Sequence, residues 1–389
     1  MGVQFLELAG IATVAVPGLD VVGASEWTFD ATGDYDSALL RTGDGLTAIA
    51  RRPRGEAAVQ EQLAQRRALA AISAGVRSRL PFAVPTPLGS FTGRQQQLDV
   101  LAFIPGRTCD RVELPHDSLL VAEIGRAIGA IHALPKSFVV EAGLPVLGAE
   151  EAREATAALI DRAVATERLP QALAQRWRAA VDDDSMWGFV PSVIHGSLER
   201  GSFVTNGAGV VGVLGWSDLG IGDPAQDMRW VQTLDGAVQR AVLDEYADAR
   251  GASVDRQLRQ RSVLYAELEL ARWLLHGAES GDETVIADAE QLLDGLLTRV
   301  RQLGAAELRH ETLPVLDVIE VQELLAEAGT KARHHEANLP RRSAAGETGE
   351  VDVDLDDAVP AAPGPGTAGA EAPRRDASGP DASGPDAPR

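Results

Sequence analysis

Residues 193–202 read Val-Ile-His-Gly-Ser-Leu-Glu-Arg-Gly-Ser, and residues 213–227 read Val-Leu-Gly-Trp-Ser-Asp-Leu-Gly-Ile-Gly-Asp-Pro-Ala-Gln-Asp. An apolar run leads into each segment, at 190–194 and at 209–214, and a turn of glycine and polar residues follows. This pattern is typical of a compact hairpin that carries functional side chains at the ends of its strands. We therefore expect the functional site at these two turns, which we call the first turn (residues 195–202) and the second turn (residues 215–227).

A β-rich region precedes the two turns. Apolar residues at helical spacing over 3–16 predict an amphipathic helix that ends at Pro17-Gly18, and residues 57–72 predict a second helix. Five β-prone runs surround the second helix, at 21–27, 37–41, 46–50, 87–92 and 98–103. We predict that residues 1–105 form a small lobe with an N-terminal helix, a five-stranded antiparallel sheet and one inserted helix.

The region after the small lobe is predicted to be mainly helical. Helical patterns cover 118–134, 149–181, 224–249, 255–277 and 282–303, and we expect Leu264, Leu268, Trp273 and Leu275 in the core. We interpret His132 as a helix-end residue that is stabilised by the helix dipole. The predicted fold class is therefore α+β with two lobes, the second of which spans residues 106–305.

The last part of the chain has a different composition. Residues 343–389 consist largely of Ala, Gly, Pro and Asp, so we predict a disordered acidic tail. A linker at 306–342 contains a short amphipathic helix at 317–328. The apolar stripe of this helix either packs back on the helical lobe, which we favour, or docks a protein partner.

The net charge and the amino-acid composition argue against several classes of function. The 389 residues carry a formal net charge of −21, which argues against nucleic acids and anionic membranes as partners, because both need a basic face. The single cysteine, Cys109, excludes an internal disulfide and fits a reducing cytoplasm, and we expect it to be a small structural residue. Glu7 and Asp20 interrupt the N-terminal apolar residues, so we predict neither a signal peptide nor a membrane-spanning helix there.

The order of the motifs resembles a known family. The small lobe ends at Phe103-Ile-Pro-Gly106, and then come His195-Gly196, Trp216 and Gly222-Asp-Pro-Ala-x-Asp227. Together these motifs resemble the aminoglycoside and macrolide phosphotransferase family, and the likeness runs from residue 20 to residue 300. The resemblance implies a protein-kinase-like fold, ATP or GTP with Mg²⁺ as cofactor, and a small molecule as phosphate acceptor. It also places Ala102 and Ile104, at the connection between the lobes, beside the nucleotide.

The sequence departs from this family at the positions of its chemistry. The family pattern is His-Gly-Asp with Asn five residues after the Asp; here Ser197 replaces the catalytic base and Ser202 replaces the metal-binding asparagine. Gly215 stands where a metal-binding aspartate would precede Trp216. Phosphoryl transfer needs a carboxylate near the acceptor hydroxyl and oxygen ligands for Mg²⁺. We therefore expect little residual catalysis and weak or absent binding of the Mg²⁺ nucleotide.

The small lobe departs from the family too. Arg51 stands where the resemblance implies a phosphate-binding lysine, and a guanidinium group can still hold a phosphate with two hydrogen bonds. The helical glutamate that would partner this cation aligns with Gln65, although Glu61 lies one turn away.

Two nearby carboxylates leave an alternative open. Glu199 lies two residues after the missing base, and Asp218 lies three residues after the missing metal ligand, so either could replace a lost acid. We favour a solvated loop charge for Glu199 and a turn or capping residue for Asp218. We expect His195 to orient the first turn by hydrogen bonds, and Asp223 and Asp227 to fix the turns and cap the next helix.

Three functional hypotheses follow. The first is a pseudokinase that keeps the fold in order to bind a nucleotide, a small molecule or a partner, and the joint loss of the base and both metal ligands favours it. The second is an active ATP- or GTP-dependent small-molecule phosphotransferase that uses Glu199 or Asp218. The third is an interaction scaffold that uses the 317–328 helix and the acidic tail. The sequence identifies neither the acceptor nor the oligomeric state.

Overall fold

The computed structural model describes residues 4–27, 33–93, 96–116, 118–251 and 255–302, together with residue 308. The predictions for the 317–328 helix and the acidic tail lie outside the described residues. Within the described ranges, a β-rich N-terminal lobe is followed by a helical lobe, which confirms the predicted α+β class. None of the helices described is both long and apolar enough to cross a membrane.

The N-terminal lobe contains the predicted five-stranded sheet, with strand order β1-β2-β3-β5-β4 and antiparallel pairing throughout. Alternation of side chains gives each strand two distinct faces, so both faces of the sheet have to be covered. The elements of this lobe are α1 Gln4–Ala15, β1 Val21–Glu26, β2 Tyr35–Thr42, β3 Thr47–Pro53, α2 Glu56–Ala71, α3 Ala74–Arg77, β4 Pro87–Thr92 and β5 Gln97–Ala102.

Different helices cover the two faces of this sheet. On the outer face, Leu8 of α1 and Ala50 of β3 belong to one buried apolar cluster. On the inner face, Arg51 lies directly opposite Asp99 across the β3–β5 pair, and Arg66 of α2 donates to the Asp99 carboxylate at 2.6 Å. Because successive side chains of a strand point to opposite faces, Arg51 is directed toward the α2 side of the sheet.

The helical lobe differs from the prediction in two places. The predicted helix at 149–181 is two helices, because the chain leaves the first at Thr166 and Pro170 caps the second. The predicted helix at 224–249 begins only at Gly236, after two 3₁₀ turns at Pro224–Met228 and Trp230–Thr233. The helices of this lobe are α4 Leu119–His132, α5 Ser137–Glu141, α6 Ala149–Ala165, α7 Gln171–Asp182, α8 Gly236–Arg250, α9 Leu258–Ser280 and α10 Glu283–Gln302.

Short strands carry the two turns singled out in the sequence. They are β6 Arg107–Thr108, β7 Ser192–Ile194, β8 Phe203–Thr205, β9 Val210–Val213 and β10 Gly220–Gly222. Strand β7 pairs with β10, and β9 pairs with β8, so the predicted hairpin between 190–194 and 209–214 is wrong. The true partners are only three residues long and have no alternating pattern that the sequence could reveal.

Candidate functional site

Asp227 is the buried anchor of the first turn. Its carboxylate accepts hydrogen bonds from the backbone N–H groups of His195 and Gly196, both at 2.7 Å. Gly196 has a φ of +88°, and a Cβ atom at this position would lie 2.4 Å from the carbonyl oxygen of Asp218. The first turn therefore requires glycine at 196, and it is held between Asp227 and the second turn. This confirms the expectation that Asp227 fixes a turn.

A further layer of hydrogen bonds reaches Asp227 from the helical lobe. The His132 ring lies between the Asp227 carboxylate, at 3.1 Å, and the hydroxyl of Tyr246, at 2.9 Å. Burial raises the pKa of Asp227, but hydrogen bonds from His132 and His195 oppose it, and the net pKa lies below the ordinary value. The helix-end interpretation of His132 is therefore incomplete, because this buried ring connects α4 and α8 to the first turn.

His195 connects the first turn to the start of the second. The ring is fully buried and lies 4.7 Å from the Trp216 ring, centre to centre. Its Nε2 donates to the carbonyl oxygen of Leu214 at 2.9 Å, which leaves a lone pair on Nδ1. Burial lowers the pKa of His195 and keeps the ring neutral.

Ser197 and Gly215 contact each other directly. The Ser197 hydroxyl donates to the Gly215 carbonyl oxygen at 3.1 Å. Gly215 has a left-handed backbone, with a φ of 84° and a ψ of 38°. A Cβ atom at this position would approach only the His195 ring, at 3.7 Å. The two residues aligned with the family's base and metal ligand are thus joined by one hydrogen bond, and the left-handed backbone at 215 favours glycine although the space around it is open.

Ser202 and Glu199 form a reciprocal capping box. The Ser202 hydroxyl accepts from the backbone N–H of Glu199 at 3.2 Å, and the Glu199 side chain accepts from the backbone N–H of Ser202. Ser202 is buried, whereas Glu199 is exposed. Asp218 is exposed as well, and it accepts from the Ser217 hydroxyl at 3.2 Å. The two acids considered as replacements therefore lie at the surface of the two turns.

The side chains at the family's metal positions do not fit Mg²⁺. This ion prefers near-octahedral oxygen ligands that include carboxylates. Ser202 offers a hydroxyl that is already engaged in the capping box, and Gly215 has no side chain. Over the described part of the chain, no three or more His, Cys, Asp or Glu side chains are grouped so that they could hold a metal ion.

Asp223 is held by a buried arginine that sequence reasoning missed. Its carboxylate accepts from the Ala225 N–H at 2.9 Å, which caps the next turn as predicted. Arg261 of α9 donates to the same carboxylate at 2.6 and 3.0 Å, and the Tyr265 hydroxyl donates at 2.9 Å. The sequence did contain a signal for this arginine. Arg261 lies three residues before the predicted core residue Leu264, so helical periodicity places it on the buried side of the helix.

Arg51 occupies the inner face of the N-lobe sheet. Its guanidinium carbon lies 3.9 Å from the centre of the Tyr35 ring, in a cation–π contact. The Gln62 amide of α2 donates to the backbone carbonyl of Arg51 at 3.4 Å. Of the two partners considered from the sequence, Gln65 is buried and Glu61 is exposed.

An ion pair between α2 and strand β5 was not foreseen. Arg66 donates to the Asp99 carboxylate at 2.6 Å, and the Asp99 side chain is almost fully buried. Burial raises the pKa of Asp99 above its ordinary value, although Arg66 and Gln62 oppose this rise. The helix supplies the cation and the strand supplies the carboxylate.

The segment that connects the two lobes, residues 102–106, makes contacts with both lobes. The backbone N–H of Ala102 donates to Thr86 at 2.9 Å, within the N-terminal lobe. A Cβ atom at Gly212 would lie 2.7 Å from the Ile104 side chain, so this side chain packs closely on strand β9 of the other lobe. The Phe103 ring meets the Trp27 ring edge to face, with centres 5.4 Å apart.

The fold and the two linked turns define a class, that of kinase-like proteins with a β-sheet lobe, a short connection and a helical lobe. The sequence profile of the phosphotransferase enzyme family, APH, matches residues 31–264, which is more than half of the chain. The chain belongs to this family.

Individual relatives agree with this assignment. The uncharacterised protein YcbJ of Bacillus subtilis is 24% identical over 262 residues, which cover 64% of this chain and 82% of the relative. Among solved structures, a macrolide 2'-phosphotransferase of type I is 26% identical, with a TM-score of 0.59 and coverage of 75% and 96% of the two chains. Macrolide 2'-phosphotransferase MphH of Brachybacterium faecium, an apoenzyme, shares the fold at 22% identity, with a TM-score of 0.63 and coverage of 74% and 97%. So does the GDP complex of aminoglycoside 2'-phosphotransferase-IIIa, at 16% identity, a TM-score of 0.59 and coverage of 75% and 97%.

Proposed function

We propose that this member of the phosphotransferase family is a catalytically impaired pseudokinase that acts by binding a nucleotide, a small molecule or a partner. The observation that carries the proposal is the hydrogen bond from Ser197 to the Gly215 carbonyl. It joins the positions of the base and the metal ligand through groups that can perform neither task. Loss of a general base alone costs on the order of 10²- to 10⁴-fold in rate. Loss of the metal ligand also removes stabilisation of the charge on the transferring phosphoryl group.

A nucleotide is the ligand that we favour. Arg51 keeps a cation on the inner face of the sheet, and Ile104 keeps the connection packed against the helical lobe. The structural neighbour that holds GDP has the same fold. These features support a retained cleft for a nucleoside phosphate, whereas Ser197, Ser202 and Gly215 offer no carboxylate for its turnover.

The test compares turnover with binding. The full chain is incubated with Mg²⁺, ATP or GTP, and a panel of aminoglycosides, macrolides and small alcohols, beside an active macrolide phosphotransferase as positive control. We expect no phosphorylated product, while the same nucleotides raise the melting temperature, because a ligand of the native state stabilises it by mass action. Mg²⁺-dependent product formation would overturn the proposal.

An active phosphotransferase with relocated acids is the second candidate. Its support is the exposure of Glu199 and Asp218 at the surfaces of the two turns. It predicts that Glu199→Gln or Asp218→Asn abolishes turnover while the melting temperature stays unchanged. Glu150→Gln, at an exposed position in the first turn of α6, is the matched control. Calorimetry that detects no binding of the Mg²⁺ nucleotide would exclude this candidate.

A further inference from the structure

The two turns have lost negative charge together with metal ligands. The family pattern places aspartates at 197 and 215, where this chain has serine and glycine. In phosphoryl-transfer sites, Mg²⁺ neutralises phosphates that would otherwise face such carboxylates. Without these two carboxylates, an unneutralised phosphate meets less repulsion here, because like charges at short distance disfavour each other.

The four carboxylates within residues 195–227 are compensated or lie in water. Asp227 accepts hydrogen bonds from three donors, and Asp223 is paired with the buried guanidinium of Arg261. Glu199 and Asp218 are exposed, where water screens their charge. None of these four acids reverses the loss of negative charge at 197 and 215.

The inner face of the sheet presents a preorganised cation. Arg51 is stacked on Tyr35, whose hydroxyl donates to a backbone carbonyl of α2 at 3.0 Å. The Asp99 carboxylate, opposite Arg51 in the strand pair, accepts from Arg66 at 2.6 Å and also interacts electrostatically with Arg51. This pair ties α2 to the sheet, so the inner face is assembled before any ligand arrives, and preorganisation lowers the cost of binding. A guanidinium group is suited to two parallel hydrogen bonds with one phosphate.

We propose that this chain binds its phosphate-bearing ligand as the metal-free anion, with Arg51, at the position of the family's lysine, as the counter-charge that remains without Mg²⁺. This inference rests on the proposed function in its nucleotide-binding form. The ligand class is a nucleoside diphosphate or triphosphate whose phosphates meet the Arg51 guanidinium group.

The test is calorimetric titration of the full chain with ATP, once in EDTA and once in excess Mg²⁺. We expect the Kd in EDTA to be equal to or below the Kd in Mg²⁺. A Kd that is more than about tenfold higher in EDTA would overturn the inference and leave the proposed function intact. Absence of ATP binding in both buffers would overturn the nucleotide-binding function, and the inference with it. Turnover of ATP would overturn only the proposed loss of catalysis.

Two variants test the parts of the argument separately. Arg51→Gln is expected to weaken ATP binding in EDTA by about tenfold or more, whereas Arg67→Gln, at an exposed position of α2, stays within about twofold. The double variant Ser202→Asn, Gly215→Asp restores the family's metal ligands; a Cβ atom at 215 would approach only the His195 ring, although the left-handed backbone there strains residues other than glycine. We expect this variant to bind ATP more weakly in EDTA and to regain binding in Mg²⁺. Metal-free binding that is unchanged in both Arg51→Gln and the double variant would contradict the inference, provided that circular dichroism shows folded protein.

Discussion

Three donors converge on the buried carboxylate of Asp227, and two of them are backbone groups of the first turn. Asp227→Asn would turn an NH₂ group toward one of these donors. We expect the free energy of unfolding to fall by ~2–4 kcal/mol, because the partners of a buried charged group stay behind unsatisfied. Denaturant unfolding measures this loss. Asp218→Asn, at an exposed position of the second turn, is the control and should stay within ~0.5 kcal/mol of the parent. Equal losses in the two variants would contradict the anchor role of Asp227.

His195 makes stability depend on pH. Burial lowers its pKa below the ordinary value, with Arg229 adding to the effect and Asp227 opposing it. Below pH ~6.5 the unfolded chain gains a proton at this residue that the folded chain does not, so stability falls as the pH drops toward the folded pKa. The loss amounts to at most ~2 kcal/mol by pH 5. His195→Gln should flatten this part of the curve, and His276→Gln, at an exposed position, should not. A curve that keeps its slope in His195→Gln would assign the pH dependence to other groups.

The sequence predicted the residues of the turns better than the residues behind them. The motifs placed His195 and Asp227 in the site, since motif spacing is visible in the chain. The motifs did not show that His132 and Arg261, on helices distant in the sequence, would form hydrogen bonds to the aspartates of these turns. Both lie on buried helical stripes, His132 four residues after Ile128 and Arg261 three before Leu264, so a polar residue on an apolar stripe was the available signal.

Helix α4 packs closely against helix α8 at Gly125. A Cβ atom at Gly125 would lie 2.6 Å from the carbonyl oxygen of Val242, which is backbone and cannot move aside cheaply. We expect Gly125→Ala to cost ~1–3 kcal/mol of stability despite the better helix propensity of alanine. Gly10→Ala in α1 is the matched control, because its Cβ atom meets nothing within 4 Å, and there we expect a gain of ~0.5–1 kcal/mol. Thermal unfolding of the two variants should therefore shift in opposite directions.

Long helices and strands with a clear periodicity of apolar residues were predictable from the sequence, whereas short ones were not. Alternation and turn residues located the five strands of the N-terminal lobe, because each of them buries one face of the same sheet. Strands β7, β8 and β10 are three residues long and fully buried, so they carry no alternation. Their pairing depends on the surrounding helices, which explains why the predicted hairpin was wrong. The turns at 224–233 read as helix because their apolar residues also have helical spacing.

The β-rich N-terminal region and the helical region were predictable from the sequence, but the division of the apolar core between them was not. Leu8 of α1 belongs to a cluster confined to α1 and the outer face of the sheet. Leu69 of α2, in contrast, belongs to the large cluster that contains Ile124 and the other core residues of the helical lobe. Periodicity shows that a face is buried and does not show which element covers it. The core of the helical lobe thus extends into the N-terminal lobe through α2.

The separation of the two apolar clusters predicts which segments each core substitution destabilises. Leu8 is 1% exposed and Ile124 is fully buried, so truncation of either side chain to alanine should cost ~2–5 kcal/mol. Because its cluster ends at the outer face of the sheet, Leu8→Ala should speed hydrogen exchange in β2, β3 and β5 and leave α4 and α9 protected. Ile124→Ala should speed exchange in α4 and also in α2, since these helices share one core. Hydrogen exchange measured by mass spectrometry resolves these segments. If Leu8→Ala loosened α9 as much as β3, the two clusters would unfold as one unit, and α1 would stabilise the whole molecule rather than its sheet.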